Sequence, residues 1–134
     1  MIYEVGFDEP KFFSEYIANQ NVILNFWSID CVPCKKEIPE ILKTFSNSKN
    51  TKLYFINIDS KSEEEKVKLA IEEFKIAKYS LLDIYQSAAT SYIKPTVVVP
   101  ASVIIDKNGK IVYESIGFET NTISNLEKKS KNLK

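Results

Sequence analysis

Val22-Ile23-Leu24-Asn25-Phe26-Trp27 limits the possible folds more than any other stretch of this chain. The run is too short for a buried helix and too continuously apolar for a strand with one wet face, so it reads as a central strand covered on both sides. Such a strand needs layers above and below its sheet. Next come the chain's only two cysteines, in Cys31-Val32-Pro33-Cys34, and then Lys35, Lys36, Glu37, Ile38, Glu40, Ile41, Leu42 and Phe45 in a helical pattern. The cysteines thus fall where a central strand hands the chain to a helix N-terminus.

The remaining elements follow from periodicity and punctuation. Asp8 is the predicted cap of a first helix, with Pro10 in its first turn and Phe12, Phe13, Tyr16 and Ile17 on one face; Asn19-Gln20-Asn21 ends it. Pro39 should bend the helix after the cysteines. A second strand spans 53–58. Ser62 to Glu65 has capping-box spacing before an amphipathic helix through Val67, Leu69, Ala70, Ile71 and Phe74. A further helix is expected from about Asp83 to Ile93. The period then changes: 96–105 is strand-like, Lys107-Asn108-Gly109 makes a hairpin turn, and 110–116 returns, before a closing helix near 121–129. Strands separated by helices and then a hairpin imply an α/β fold, a mixed central β-sheet flanked by helices on both faces. At 134 residues this is one domain, 1–134. The Lys/Asn/Ser-rich tail after Leu126 is expected to stay disordered.

Composition narrows the chemistry. With 18 basic and 18 acidic residues the chain has no global field to draw nucleic acid or an anionic membrane. Its apolar runs fall far short of the ~20 residues of a membrane span, so no transmembrane segment is expected, and no signal peptide is visible at the start. There is no histidine, which sets aside imidazole-dependent metal sites and most serine or cysteine hydrolases. A CxxC pair can be half of a zinc site, but no third cysteine or histidine completes it, so no metal is expected. Inert structural cysteines remain the bland alternative. Against that, two thiols on the first turn of a helix close into a disulfide with little backbone movement, and the helix N-terminus favours a thiolate. Redox chemistry is the expectation.

Phe26 to Pro39, including Cys31-Val32-Pro33-Cys34-Lys35-Lys36-Glu37, resembles the active-site segment of the TlpA/ResA-like thiol-disulfide oxidoreductases. Pro100-Ala101-Ser102-Val103-Ile104-Ile105-Asp106-Lys107-Asn108-Gly109-Lys110 is similar to that family's cis-proline, strand and turn. The resemblance implies a thioredoxin fold and a Cys31–Cys34 redox disulfide in place of any cofactor. Cys31 would be the nucleophile and Cys34 the resolving thiol. Glu37 matches the family's active-site acid, a solvated helix carboxylate being the alternative. Pro100, not Pro95, is taken as the cis-proline, since a strand opening at Pro95 would lose a ladder donor at Pro100. Trp27, Val32, Pro33, Val99, Pro100, Gly117 and Phe118 would line the substrate-binding region. The implied function is reduction of disulfides in partner proteins through a mixed disulfide; a non-catalytic thioredoxin-fold binding module is the alternative. Implied partners are thiol- or disulfide-bearing proteins, including an upstream electron donor, with no nucleic acid. The chain would be monomeric and extracytoplasmic, periplasmic or membrane-anchored. One departure stands out: where thioredoxin carries a buried Asp, this chain has Asn25, which cannot accept a proton.

Overall fold

A computed structural model describes residues 1–117 and 121–133. Its centre is β2 (Asn21–Trp27), every residue of which is buried. Around it lie β1 (Tyr3–Glu4), β3 (Thr51–Asn57), β4 (Ser80–Leu82), β5 (Ala101–Ile105) and β6 (Ile111–Ile116), in the sheet order β1-β4-β3-β2-β5-β6. Strands β2, β3 and β4 run parallel to one another, whereas β5 is antiparallel to β2 and β6, and β1 is antiparallel to β4. Alternation along the strands sorts the core into two layers. Ile23, Trp27, Leu53, Phe55 and Ile104 pack with Ile38, Ile41 and Phe45 of α2 (Val32–Phe45), Val67 and Ile71 of α3 (Glu64–Phe74) and Leu126 of α5 (Thr122–Lys131). Val22, Leu24, Phe26, Ile56, Val103 and Ile105 pack with Ala88 and Ala89 of α4 (Ser87–Tyr92), and with Tyr16 and Ile17 of α1 (Ser14–Ile17). This is the mixed sheet with helices on both faces that the sequence implies. Among the described residues no helix is long and apolar enough to cross a membrane.

The first helix starts later than its cap signal suggests. Lys11 exchanges backbone hydrogen bonds with Ile2, at 2.8 and 2.7 Å, so the chain makes an isolated bridge where the helix is expected and α1 begins only at Ser14. Glu4 on β1 ties that corner together: the Tyr16 hydroxyl donates to its carboxylate at 2.7 Å and Lys11 Nζ at 3.3 Å. The Tyr16 hydroxyl, and then Lys11, hold the Glu4 carboxyl below its usual range. That contribution to stability is present with Glu4 ionised and is lost as pH falls through its folded value.

Other boundaries shift for similar local reasons. The capping box does not form, because Ser62 lies in a tight turn (Lys61–Glu63) with its Oγ 2.9 Å from Ser60 Oγ, and α3 starts at Glu64 without a side-chain cap. Of the strand-like stretch 96–105 only Ala101–Ile105 pairs in the sheet; the Lys94–Pro95 and Val99–Pro100 peptides before it are both cis. Helix α2 runs through Pro39 as one helix. The hairpin turn forms with Gly109 at φ +84° and the Asp106 carboxylate accepting from the Asn108 and Lys110 amides. The tail is not disordered as far as Lys131: α5 continues to that residue because Leu126 is buried in the core and Ser130 is covered as well.

Asp83 shows what a helix-start signal does when the helix begins farther on. Helix α4 starts at Ser87, yet the fully buried Asp83 carboxylate accepts from the amides of Ala88 (3.3 Å) and Ala89 (2.8 Å). Burial drives its carboxyl above the ordinary value, outweighing the hydrogen bonds that pull it down. The folded protein therefore holds this proton more tightly than the unfolded chain does, and ionising Asp83 as pH rises costs stability. Asp83→Asn should thus gain stability relative to the parent between about pH 4 and pH 7, measured by denaturant unfolding. A gap moving the other way would contradict this assignment.

Candidate active site

The site begins where β2 ends. Past Trp27 the chain makes a turn closed by the Cys31 amide donating to the Ser28 carbonyl at 3.2 Å. Cys31 is extended (φ −91°, ψ 100°) and is the N-cap of α2, so its sulfur stands where the helix leaves amides without internal partners. The Cys34 amide donates to Cys31 Sγ at 3.1 Å. Pro33 has no N–H to offer, which concentrates donation on Cys34. Cys31 and Cys34 are disulfide-bonded, with Cα atoms 5.2 Å apart. Cys31 keeps 8% of its surface and Cys34 none. Of the two, Cys31 is the one with surface left.

The sheet register brings the second sequence segment to the same end. Ala101 pairs with Phe26, so Pro100 lies beside the end of β2, and Val99 packs against the core cluster that holds both cysteines. Gly117 donates its amide to the Pro100 carbonyl at 2.8 Å and has φ +85°, a left-handed conformation that a side chain would strain. Val32 is the outermost of these residues, at 61% exposed. Pro33, Val99 and Gly117 are half-buried. Trp27 and Pro100, both expected in the substrate-binding region, are buried, and Trp27 meets the edge of Phe74 at 6.4 Å. Trp27 shares one core cluster with both cysteines. Phe118 lies outside the described residues.

Glu37 is buried, with 5% of its surface left, so it is not a solvated helix carboxylate. Three residues after Cys34, it lies on the same side of α2. Asn25 Nδ2 donates to Glu37 Oε1 at 3.5 Å and to Ser102 Oγ at 3.0 Å. Three elements, β2, α2 and β5, thus share one buried polar group. Asn25 Oδ1 and Trp27 Nε1 are buried with no hydrogen-bond partner among the described residues.

Two residues at this end escaped the sequence reading. Asp59 Oδ2 accepts the Ile29 amide at 2.9 Å and Asn57 Nδ2 at 2.8 Å. A signal existed: polar side chains at the carboxyl end of a parallel strand lie where α/β sheets place their sites.

A six-stranded mixed sheet whose central strand feeds a disulfide at a helix N-terminus has the architecture of the thioredoxin fold. The family is narrower: the Redoxin model matches residues 8–129, and the chain belongs to the Redoxin family. It is 30% identical over 105 residues to the thiol-disulfide oxidoreductase ResA of Bacillus thuringiensis (strain Al Hakam), covering 78% of this chain and 59% of that one. It is 28% identical over 102 residues to the sporulation thiol-disulfide oxidoreductase A of Bacillus subtilis (strain 168), covering 73% and 60%. The chain thus spans 59% of the length of the first of these curated relatives. The crystal structure of StoA from Bacillus subtilis superposes with a TM-score of 0.70 at 27% identity, over 84% of each chain.

Proposed function

We propose that this chain is a thiol-disulfide oxidoreductase that reduces disulfides in partner proteins, with Cys31 as nucleophile and Cys34 as resolving thiol. The observation that carries this reading is the asymmetry of the pair: Cys31 is at the accessible helix cap and takes an amide hydrogen bond, while Cys34 is sealed beneath it. Both relatives named above are called thiol-disulfide oxidoreductases, which supports the same chemistry. In the reductive direction the Cys31 thiolate attacks a partner disulfide, forming a mixed disulfide and releasing one partner thiolate. The Cys34 thiolate then attacks Cys31 Sγ, closing the Cys31–Cys34 disulfide and releasing the second partner sulfur. Two electrons have passed to the partner, and an upstream dithiol protein restores the pair. Val32, Pro33, Val99 and Gly117 form the contact surface, with Trp27 and Pro100 supporting it from below. A monomer in an extracytoplasmic setting, where partner disulfides persist, belongs to the same reading.

The test is stoichiometric. The reduced chain mixed with a disulfide-bonded protein such as insulin should reduce one disulfide for each Cys31–Cys34 bond formed, whereas a binding module would reduce none. Insulin left intact by the reduced chain, while the oxidised chain converts dithiol peptides to disulfides and is itself reduced, would reverse the direction.

Glu37 is assigned to proton transfer beside Cys34, because it is the carboxylate buried on that side of α2. Glu37→Gln should change the pH dependence of the exchange rate. Its stability cost should stay within about 1 kcal/mol, since glutamine keeps the shape and an oxygen acceptor for Asn25 Nδ2. An unchanged pH-rate profile would remove Glu37 from the chemistry.

A further inference from the structure

We infer that Asp59 is a positioning residue for the Cys31 nucleophile, its carboxylate fixing the turn through which β2 delivers the chain to the cysteine pair. The inference rests on the proposed role of Cys31. Ile29 is two residues before Cys31 in that turn, and its amide lies beyond the last residue of β2. The inter-strand ladder continues past Trp27 by one bond, from the Ile58 amide to the Trp27 carbonyl at 3.0 Å. The next acceptor on that side, the Ile58 carbonyl, is taken by Gln86 Nε2 at 3.1 Å. At that point the Asp59 side chain takes over from the sheet and accepts the Ile29 amide at 2.9 Å.

The carboxylate is itself held in place. Asn57 donates to the same Oδ2 at 2.8 Å, and the Asp59 amide donates to Asn57 Oδ1 at 3.0 Å. With the Ile58 bonds to Trp27 and Gln86, the backbone on either side of the bond between residues 58 and 59 is fixed before its side chain reaches Ile29. An Asn57–Asp59 motif that served β3 alone would close on itself, whereas this one reaches across 30 residues of sequence to the turn before the nucleophile. Cys31 is then constrained from both sides, by the anchored turn before it and by the Cys34 amide on its sulfur after it. Freeing the Ile29 amide lets the turn move, and with it the alignment of Cys31 Sγ to the helix end that stabilises its thiolate.

The test uses the whole reduced chain and the Asp59→Ala and Asp59→Asn variants. Its readouts are the iodoacetamide rate at Cys31, the equilibrium with glutathione, and amide exchange at Ile29. Asp59→Ala should slow Cys31 alkylation by roughly tenfold, the scale of effect that a small misplacement of a reacting atom has. It should also speed Ile29 amide exchange while the amides of central β2 stay protected. Asp59→Asn keeps an acceptor for Ile29 and removes a negative charge, so it should be no slower than the parent. Tyr16→Phe, which deletes a hydrogen bond away from the pair, should leave the alkylation rate and the glutathione equilibrium unchanged. If Asp59→Ala fails to fold, Asn57→Ala takes its place, since it removes the donor that steadies the carboxylate; it should slow alkylation about threefold. An unchanged Cys31 rate and glutathione equilibrium in Asp59→Ala, or in Asn57→Ala when it stands in, would overturn the inference. So would an Asp59→Asn variant as slow as Asp59→Ala. Labelling of Cys34 first in the parent would instead sink the Cys31 assignment, whatever Asp59 does.

Discussion

Cys34→Ser is expected to arrest the chain on its partners as stable mixed disulfides through Cys31, while Cys31→Ser traps none. The reason lies in the helix turn: Cys34 Sγ is bonded to Cys31 Sγ in the oxidised pair, so in the mixed disulfide it attacks at a very high effective concentration. Without that thiol, release of the partner depends on an external thiol at ordinary concentration. Turnover should fall by roughly three orders of magnitude or more. Non-reducing electrophoresis followed by peptide mass spectrometry reads the trapped species. Partners trapped equally by both variants would mean that the asymmetric burial of the two cysteines does not set their roles.

The second large effect is expected at Asn25. Its side chain is fully buried, and its Nδ2 donates to both Glu37 and Ser102. Asn25→Asp removes that donor and puts a second carboxylate beside the first; two such groups in one buried site cannot both ionise. The folded variant must bind a proton that the unfolded chain releases, so its stability is present at low pH and lost as pH rises. A loss of about 3 kcal/mol is expected at about pH 7, smaller at about pH 5, by denaturant unfolding. Adding Glu37→Gln should recover most of it, because glutamine supplies a donor to the new carboxylate. A loss equal at both pH values, or none at all, would contradict the buried Asn25–Glu37 contact. The same physics accounts for Asn25 itself: with Glu37 supplying the carboxylate from α2, an acid on β2 would compete with it.

Legibility in the sequence followed how local each determinant is. Strand β2, the cysteine pair and the turn at Gly109 are each specified within a few neighbouring residues, and all three form where the pattern puts them. Strands β1 and β4 are two and three residues long, too short for alternation to register. Asp8 and Pro10 carry a helix-start signal that loses to the pairing of Lys11 with Ile2, a tertiary contact invisible to periodicity. The run Thr96 to Val99 is β-branched and strand-like, yet only the residues after Pro100 join the sheet. Glu37 was legible by its spacing from Cys34, but its burial depends on Asn25 and Ser102 from two other elements. Asp59 was legible only as a polar residue at the carboxyl end of a strand; what it holds is an amide 30 residues away, which no local pattern shows.

The most direct test of the Cys31 assignment is limited alkylation of the reduced chain with iodoacetamide at neutral pH, mapped by peptide mass spectrometry. Cys31, at the helix cap and the one of the pair that keeps some surface, should carry the label while Cys34 remains unmodified. Cys34 labelled first, or both labelled at one rate, would contradict the assignment of Cys31 as the nucleophile.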